Sequence, residues 1–278
     1  MLPDLTVAQA LTLAALGVSI GALGATVGVG GGFLLVPALL LMFPEAEPSA
    51  ITSMSLTAVF LNSASASVGF RIRRRQDLRT AAILISLGLP LAVLGALANR
   101  VTERQLFELI FGLALVSGAV YLAWRGAGTV SAILPSTRGR ERRIVDRGGR
   151  VYEYRVNETA TAAVAPGAGL IAGFFGIGGG IINVPMMILL LRIPSVLAVA
   201  TSQLALTTSA GAALSVHLIF SFDQSDQWIR AAIVGGGALI GGQIGVRLAS
   251  QVGGRFVLLA ISAALMLVGV RQIFAALT

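Results

Sequence analysis

Long apolar runs separated by short polar stretches fill almost the whole chain. Eight of these runs approach the roughly 20 residues that a helix needs to cross a bilayer, and they cover 5–27, 49–70, 80–99, 105–124, 159–177, 195–220, 228–249 and 255–277. Two shorter apolar runs, 33–43 and 181–191, follow glycine clusters and span comfortably only if the glycine turn lies inside the membrane. The pattern predicts an all-α polytopic membrane protein with about 8–10 transmembrane helices.

The composition supports the same class. Of the 278 residues, 56% are hydrophobic and 12% are charged, and the mean hydropathy is +0.88. Ordinary soluble domains carry about 25% charged residues, so this chain has more apolar surface than one soluble core could bury. There is no cysteine for disulfides or thiol chemistry. The first apolar run has no basic region before it, and we interpret it as a retained helix rather than a cleaved signal peptide.

A glycine-rich motif occurs twice in the chain. The sequence "VGVGGGFLLVP" begins at Val27, and "FGIGGGIINVP" begins at Phe175. Aligning the two copies places Pro37 on Pro185, and one added residue then aligns "AITS" with "VATS" in the following helix. Because the correspondence continues to the end of each half, the chain consists of two copies of one internal repeat.

The repeat divides the chain into three parts. We predict a first membrane repeat at 1–124, a basic linker at 125–158 and a second membrane repeat at 159–278. Each repeat has about five segments, of which two form a broken or short helix pair and three are spanning helices. Within the linker, two β-rich runs around "DRGG" (146–149) predict a small β-hairpin, which either leans on the membrane domain or is partly disordered.

The loop charges predict that the two repeats are inverted. All 20 basic residues are arginine, with five in 71–79 and eight in 125–158, which places both segments in the cytoplasm. The acidic loop 44–48 then lies outside, whereas the corresponding loop of the second repeat, 192–195, is basic. With ten segments, both termini lie outside. We interpret the net charge of +8 as a topology signal, with phospholipid or partner binding as the alternative, and expect no nucleic-acid partner.

The glycine motifs favour anion binding. Neither copy has the Lys-Ser/Thr of a phosphate-binding loop, and irregular backbone inside a membrane must be buried or line a cavity. The helix after each break presents its positive end and unpaired N–H groups. In inverted repeats, two such ends could enclose one small anion at the midplane. Tight helix crossing by small residues is the alternative.

The helix after each motif is rich in hydroxyl groups, which could donate to an oxyanion without placing a full charge in the bilayer. Interhelical hydrogen bonding is the alternative role. The candidate side chains in these two helices are Thr52, Ser53, Ser55, Thr57, Thr201, Ser202, Gln203 and Thr207. Asn183 adds a polar group where the first copy has Leu35, so the two half-sites are predicted to be unequal.

Few charged groups lie within the predicted spans. Glu108 lies near the outer end of its helix, and His217, the only histidine, lies near the outer end of 195–220. We consider His217 as a proton or substrate ligand and Arg247 as an anion-attracting residue. The sequence has no metal-ligand cluster and no nucleophile–base pair, so we expect neither an enzyme nor a metal or cofactor.

The duplicated "GVGGGFLLVP" and "GIGGGIINVP", each followed by a helix containing "TS", resembles the TauE/SafE family of sulfite exporters. This resemblance covers nearly all of the chain outside the linker. It implies a multi-pass protein of the plasma membrane, in bacteria the inner membrane, that moves sulfite or a related sulfur oxyanion. It also implies the substrate-facing positions, which are Gly30, Gly31, Gly32, Gly178, Gly179, Gly180, Asn183, Thr52, Ser53, Thr201, Ser202 and Gln203.

The leading hypothesis is therefore an exporter of sulfite or a similar oxyanion that works by alternating access. A passive anion channel and an uptake permease for another organosulfur anion remain alternatives, and a non-transport membrane scaffold is the least favoured. The expected partners are the oxyanion and the lipid bilayer, and a homodimer is left open.

Overall fold

In a computed structural model, the described residues are 6–129, 139–221, 225–249, 251 and 254–277. They form ten helices and one hairpin. The helices of the first half are α1 (Val7–Val27), α2 (Gly32–Met42), α3 (Pro48–Ile72), α4 (Leu78–Arg100) and α5 (Arg104–Thr129). Those of the second half are α6 (Glu158–Phe175), α7 (Gly180–Pro185), α8 (Ser195–Ser221), α9 (Ser225–Leu248) and α10 (Gly254–Leu277). α7 continues directly into a π-helical segment, Met186–Leu190.

Six of the described helices, α1, α3, α4, α5, α8 and α9, are long and apolar enough to cross a membrane. The sequence predicted eight, and the other two, α6 and α10, are also helical. α6 begins with a polar turn containing Glu158, and part of the α10 side chains lies outside the described residues. The short runs after the glycine motifs form α2 and the segment from α7 to the π-helix, as predicted. The helical, multi-pass fold class is therefore confirmed.

α5 extends past the predicted start of the linker at residue 125 and ends at Thr129. Residues 130–138 of the linker, residues 222–224 between α8 and α9 and both chain ends lie outside the described residues.

The helices of the two halves are interleaved. α1 lies against α9, and the corresponding pair, α6 and α4, also lies together. α3 contacts both α8 and α9, and α5 lies along α10. Most of the helix contacts are therefore made between the halves rather than within one half.

The directions of these helices show the inversion. α5 and α10 occupy corresponding places in the halves and run antiparallel: Gly112 faces Ile273, while the Ser262 hydroxyl donates to the Ala119 carbonyl over 3.0 Å. By contrast, α1 and α9 run parallel, with Gly17 beside Ala238 and Gly245 beside Ala25. Because the corresponding helices α5 and α10 run in opposite directions, the fold agrees with the predicted inversion of the two repeats.

Small residues let the backbones of the two halves touch. A Cβ atom on Gly17 would lie 2.2 Å from the Val234 carbonyl oxygen, and one on Gly173 would lie 1.9 Å from the Ala92 carbonyl oxygen. The buried Asn62 side chain fixes the same interface, because its Nδ2 donates to the Gly21 and Ala238 carbonyls over 2.8 and 2.9 Å. Close approach and interhelical hydrogen bonds are the usual means of association in a bilayer, where apolar burial contributes little.

The predicted linker hairpin is present. β1 (Arg140–Val145) pairs antiparallel with β2 (Val151–Val156), with Val145 opposite Val151 at the turn. The turn docks on the loop between α3 and α4: the Arg147 N–H donates to the Arg73 carbonyl over 3.0 Å, and Arg75 pairs with Asp146 at 3.0 Å. The described hairpin thus leans on the membrane helices.

Hydrogen bonds hold Asp146 ionised at this junction. Burial alone would raise the pKa of its carboxyl, but the Arg150 N–H, the Arg75 guanidinium and the Gly148 N–H all donate to it, and the net effect lowers the pKa. The charge of Asp146 is therefore part of the docking of the hairpin.

Candidate functional site

The two glycine motifs fold in the same way. Each contains three glycines in the left-handed region of backbone space: Gly28, Gly30 and Gly31 have φ of 85°, 78° and 81°, and Gly176, Gly178 and Gly179 have φ of 69°, 79° and 74°. A side chain in this conformation costs roughly 1–2 kcal/mol. The motif is therefore repeated because the same turn is made twice. The first copy ends α1 and starts α2, and the second copy ends α6 and starts α7.

The structure brings the two breaks into direct contact. A Cβ atom on Gly32 would lie 2.7 Å from the Ile177 Cα, and one on Gly180 would lie 2.5 Å from the Val29 Cα. Gly31 and Gly179 precede the first residues of α2 and α7, and no side chain of the described residues caps either helix start. Two uncapped helix starts thus lie beside each other at the interface of the halves.

Two apolar side chains fill the space between the breaks. Val59 of α3 and Leu206 of α8 are fully or almost fully buried. A Cβ atom on Gly30 would lie 3.2 Å from both of them, and one on Gly178 would lie 2.4 Å from Leu206 and 2.6 Å from Val59. The sequence analysis missed these residues because it considered only polar side chains as site candidates. In this conformation both breaks pack against Val59 and Leu206.

Serines of each half bond the break of the other half. The Ser202 hydroxyl donates to the Gly28 carbonyl over 2.9 Å, and the Ser55 hydroxyl donates to the Gly176 carbonyl over 2.7 Å. Both carbonyls belong to residues that end a helix, where backbone acceptors lack a helical partner. These two predicted site residues therefore stabilise the breaks, and their protons are not directed at the space between them.

Three other predicted hydroxyls bond within their own helix. Ser53, Thr57 and Thr207 donate to the carbonyls of Ala50, Ser53 and Gln203, each over 2.8 Å. Such bonds to the preceding turn are common for serine and threonine in helices. The three hydroxyls keep acceptor lone pairs, but their donors are used locally.

Thr52 and Gln203 lie at the breaks with unused polar atoms. Thr52 is buried against Gly176, and its Oγ1 has no hydrogen-bond partner among the described residues. The Gln203 Nε2 donates to the Gly24 carbonyl over 3.3 Å, and its buried Oε1 has no partner in the same part of the chain. Both side chains are available to a small ligand if the breaks separate.

Thr201 belongs to a different network. Its Oγ1 accepts from the Asp77 N–H over 2.9 Å. The Asp77 carboxylate caps the start of α4 and accepts from the hydroxyls of Thr80 and Tyr154 over 2.7 and 3.0 Å. Burial and the Asp77 charge raise the pKa of the Tyr154 phenol above its usual range, so it remains a donor. The network joins α4, α8 and the hairpin. The sequence could have indicated this cap, because an Asp stands three residues before Thr80 at the start of a predicted helix. No sequence signal indicated the role of Tyr154.

Asn183 lies in a small cavity beside the second break. It is 6% exposed, and its Oδ1 has no partner among the described residues. The cavity of about 10 Å³ also touches Gly178, Gly179 and Ser209, and that volume holds about one water molecule. Leu35, in the corresponding place of the first half, is buried and apolar. The half-sites are thus unequal in polarity, as the sequence indicated.

The other side of the second break adjoins a larger apolar cavity of about 320 Å³. It lies between α5, α6, α7 and the π-helical segment. The residues of the break and of α7 that line it are Ile177, Ile181, Ile182 and Pro185. The second break therefore has a polar wall and an apolar wall.

Comparison with known proteins identifies the family. The family model described as "Sulfite exporter TauE/SafE" matches residues 13–272. The chain belongs to the TauE/SafE family. The probable membrane transporter protein YunE of Bacillus subtilis is 25% identical over 268 residues, covering 94% of this chain and 96% of that protein. A probable membrane transporter protein of Xylella fastidiosa is 27% identical over 249 residues, covering 89% of this chain and 87% of the relative. No solved structure matches.

This TauE/SafE protein is thus a multi-pass membrane transporter by family. His217 is buried on α8, eleven residues beyond Leu206, which is about 16 Å along a helix. Arg247 lies in the last turn of α9, next to Val246, whose carbonyl accepts from Arg73 over 3.0 Å. The structure does not bring either residue between the breaks. Within the described residues, no group of three His, Asp or Glu side chains could hold a metal ion.

Proposed function

We propose that this protein exports sulfite or a related small sulfur oxyanion by alternating access, with the anion held between the two glycine breaks. The observation that carries the proposal is the contact of two inverted breaks, Gly32 against Ile177 and Gly180 against Val29. Each is followed by a helix start without a side-chain cap. Helix N-termini of this kind offer N–H donors and a positive partial charge to anions.

The free energies of burying and of stabilising an anion favour a site that needs both breaks. A charge at the centre of a bilayer costs about 2.5–3.5 kcal/mol on insertion scales. One helix end returns at most about 2 kcal/mol when partly buried, and two ends together return about 4 kcal/mol. One break would therefore leave the anion unstable, whereas two facing breaks offset a single negative charge. Two facing breaks accordingly favour a singly charged anion, which for sulfite is the hydrogen sulfite form.

The conformation described here is a closed one in this scheme. Val59 and Leu206 occupy the space between the breaks, and the adjacent cavity of about 10 Å³ is too small for sulfite. Inverted-repeat transporters expose their sites by rocking one part against the other. We propose that such a movement withdraws Val59 and Leu206, after which the Thr52 hydroxyl and the amide N–H groups of Asn183 and Gln203 donate to the anion.

The contact between Asp77 and Thr201 bears on the same movement. It joins α4 of the first half to α8 of the second half, and Tyr154 of the hairpin covers it. We propose that this network closes the cytoplasmic side and must break when the site opens inward.

The test is sulfite flux into or out of liposomes that contain the purified protein. Gly178→Ala places a Cβ atom between Leu206 and Val59 at a φ of 79°, and we expect it to abolish flux. Gly236→Ala is the matched control, because a Cβ atom there has no neighbour within 4 Å. Normal flux through folded Gly178→Ala would overturn the site. Flux that does not saturate would favour a channel, and absence of flux and of stabilisation by any oxyanion would favour a scaffold.

An organosulfur anion with an apolar tail is a second candidate. The apolar cavity of about 320 Å³ against the second break favours it, because a short alkyl group would fit beside Ile177 and Ile181. Ala114 also lines this cavity, so Ala114→Phe should reduce flux of a butanesulfonate probe while leaving sulfite flux intact. Equal effects on both anions would remove this candidate.

A further inference from the structure

Two adjoining cavities lie where α3 ends and the hairpin docks. The first, of about 460 Å³, is polar and is lined by Arg71, Arg74, Gln76, Arg143, Ile144 and Val145. The second, of about 340 Å³, is mainly apolar and is lined by Ser67, Val68, Arg71, Ile72, Gln76, Leu78 and Leu204. Because Arg71 and Gln76 line both, the cavities form one continuous groove with a basic end and an apolar end.

The basic end carries charge without a matching carboxylate. Among the described residues, neither Arg71 nor Arg74 forms an ion pair. Arg143 pairs with Glu153 at 3.5 Å, but both side chains are about 70% exposed, and such exposed pairs contribute little. The cavity therefore presents three guanidinium groups to an anionic ligand.

The nearby carboxylates are already occupied. Asp146 pairs with Arg75, and Asp77 caps α4 and accepts from Tyr154. Neither can neutralise the groove without giving up the contacts that dock the hairpin. The positive charge of the groove is therefore a stable property of the folded protein.

The backbone at Arg74 supports a specific role for its side chain. Arg74 has a φ of 56°, a conformation that costs a residue with a Cβ roughly 1–2 kcal/mol and is usually taken by glycine or asparagine after a helix end. An arginine at this place keeps a strained backbone and adds a guanidinium to the groove.

The apolar end determines which anion fits. Val68, Ile72 and Leu78 are 59%, 56% and 45% exposed, and they belong to the ends of membrane helices that the positive-inside rule places at the cytoplasmic leaflet. A free phosphate would satisfy the arginines and leave this wall uncovered. A phospholipid supplies both parts, since juxtamembrane arginines attract anionic headgroups and an acyl chain covers the apolar wall.

We propose that this groove binds one anionic phospholipid, with its phosphate among Arg71, Arg74 and Arg143 and an acyl chain along Val68 and Ile72. The bound lipid contacts α3 and β1 together, so it fastens the hairpin to the membrane domain. Lipid binding in this groove does not depend on which anion is transported.

The test is native mass spectrometry of the full-length protein titrated with phosphatidylglycerol or phosphatidylcholine. We expect the wild type to bind phosphatidylglycerol preferentially and the double variant Arg71→Gln/Arg74→Gln to bind it about thirtyfold more weakly, from about fivefold for each arginine near a membrane surface. Arg140→Gln/Arg150→Gln is the matched control, because both residues are exposed on the hairpin outside the groove and the charge change is equal. The control should bind as the wild type does.

Three results would overturn the proposal. The first is equal binding of phosphatidylglycerol by the wild type and by Arg71→Gln/Arg74→Gln, and the second is an equal loss of binding in the control pair. The third is competition by inorganic phosphate as effective as that by the lipid, which would assign the groove to a free anion. Circular dichroism of the variants confirms that any loss of binding occurs in folded protein.

Discussion

Replacing Ser202 by alanine should destabilise the protein, whereas replacing Gln203 by methionine should not. The Ser202 hydroxyl donates to the Gly28 carbonyl over 2.9 Å, and no backbone N–H of the described residues bonds to that carbonyl. Ser202→Ala therefore leaves a buried acceptor unpaired. Such a loss costs about 1–3 kcal/mol in soluble proteins and at most about 1.7 kcal/mol in measured membrane cases, so we expect about 1–2 kcal/mol.

Gln203→Met differs because the carbonyl that accepts from the Gln203 amide also accepts from other donors. The Gly24 carbonyl that accepts from Gln203 also accepts from the N–H groups of Gly28, Val29 and Gly30 over 2.8, 2.9 and 3.2 Å. The substitution also removes the unpaired Gln203 Oε1 and introduces the residue that the first half has at this place, Met54. We expect a neutral or slightly positive change in stability, with reduced anion flux if the amide binds substrate.

The assay is thermal unfolding in detergent at a fixed scan rate, followed by tryptophan fluorescence. With roughly 2–4 °C for each kcal/mol in a chain of this size, Ser202→Ala should unfold about 2–8 °C below the wild type, and Gln203→Met within about 2 °C of it. Ser215→Ala is the matched control, because its exposed hydroxyl bonds only to the Gly211 carbonyl of its own helix among the described residues. Equal unfolding temperatures for Ser202→Ala and Ser215→Ala would refute the reasoning.

Three further predictions concern other parts of the fold. Asn183→Leu should lower sulfite flux about tenfold or more, because it removes an amide whose N–H groups could donate to the anion beside the second break, and it should cost little stability, because the Asn183 Oδ1 has no hydrogen-bond partner to lose; unchanged flux in liposomes would count against it. Asp146→Asn should remove a pH dependence of the stability. The lowered pKa of Asp146 stabilises the wild type at pH values above the ordinary carboxyl pKa near 4, and this stabilisation is lost as the pH falls through the lowered pKa. The unfolding temperatures of the wild type and of Asp146→Asn should therefore converge between pH 6 and pH 3, and a constant difference between them would contradict this. Arg104→Gln should cost about 3–5 kcal/mol, because it leaves the buried Glu108 carboxylate unpaired and removes the guanidinium bonds to the carbonyls of Leu40, Phe43, Pro44 and Ala46; Arg104→Gln/Glu108→Gln should recover only the part due to the unpaired carboxylate in the same unfolding measurement.

The breaks could be predicted from the sequence because their requirement is local. A positive φ strongly favours glycine whatever surrounds it, so the repeated triplet indicated both turns, and the loop charges indicated their relative direction. The hairpin followed in the same way from "DRGG" between two β-rich runs.

The roles of the hydroxyls could not be predicted because they depend on the neighbouring half. Ser53 and Ser55 lie two residues apart on α3, yet one bonds its own helix and the other bonds Gly176. Only the packing of the second glycine break against α3 decides between them. Val59 and Leu206 were missed for a related reason, since an apolar side chain in a membrane helix carries no sequence signal that it lies in a site.

The exchanged serine bonds have a consequence for how such a chain can be assembled. Each half completes a helix end of the other, and α1 and α6 find their main neighbours across the interface. A half produced alone would leave the Gly28 or Gly176 carbonyl without its serine donor, so we expect the two halves to behave as complementing fragments. The linker raises their effective concentration, and its hairpin adds contacts to the loop between α3 and α4. Co-expressed fragments separated in the linker should therefore reassemble, and the duplication is readily understood as the fusion of two copies of one ancestral subunit inserted in opposite orientations.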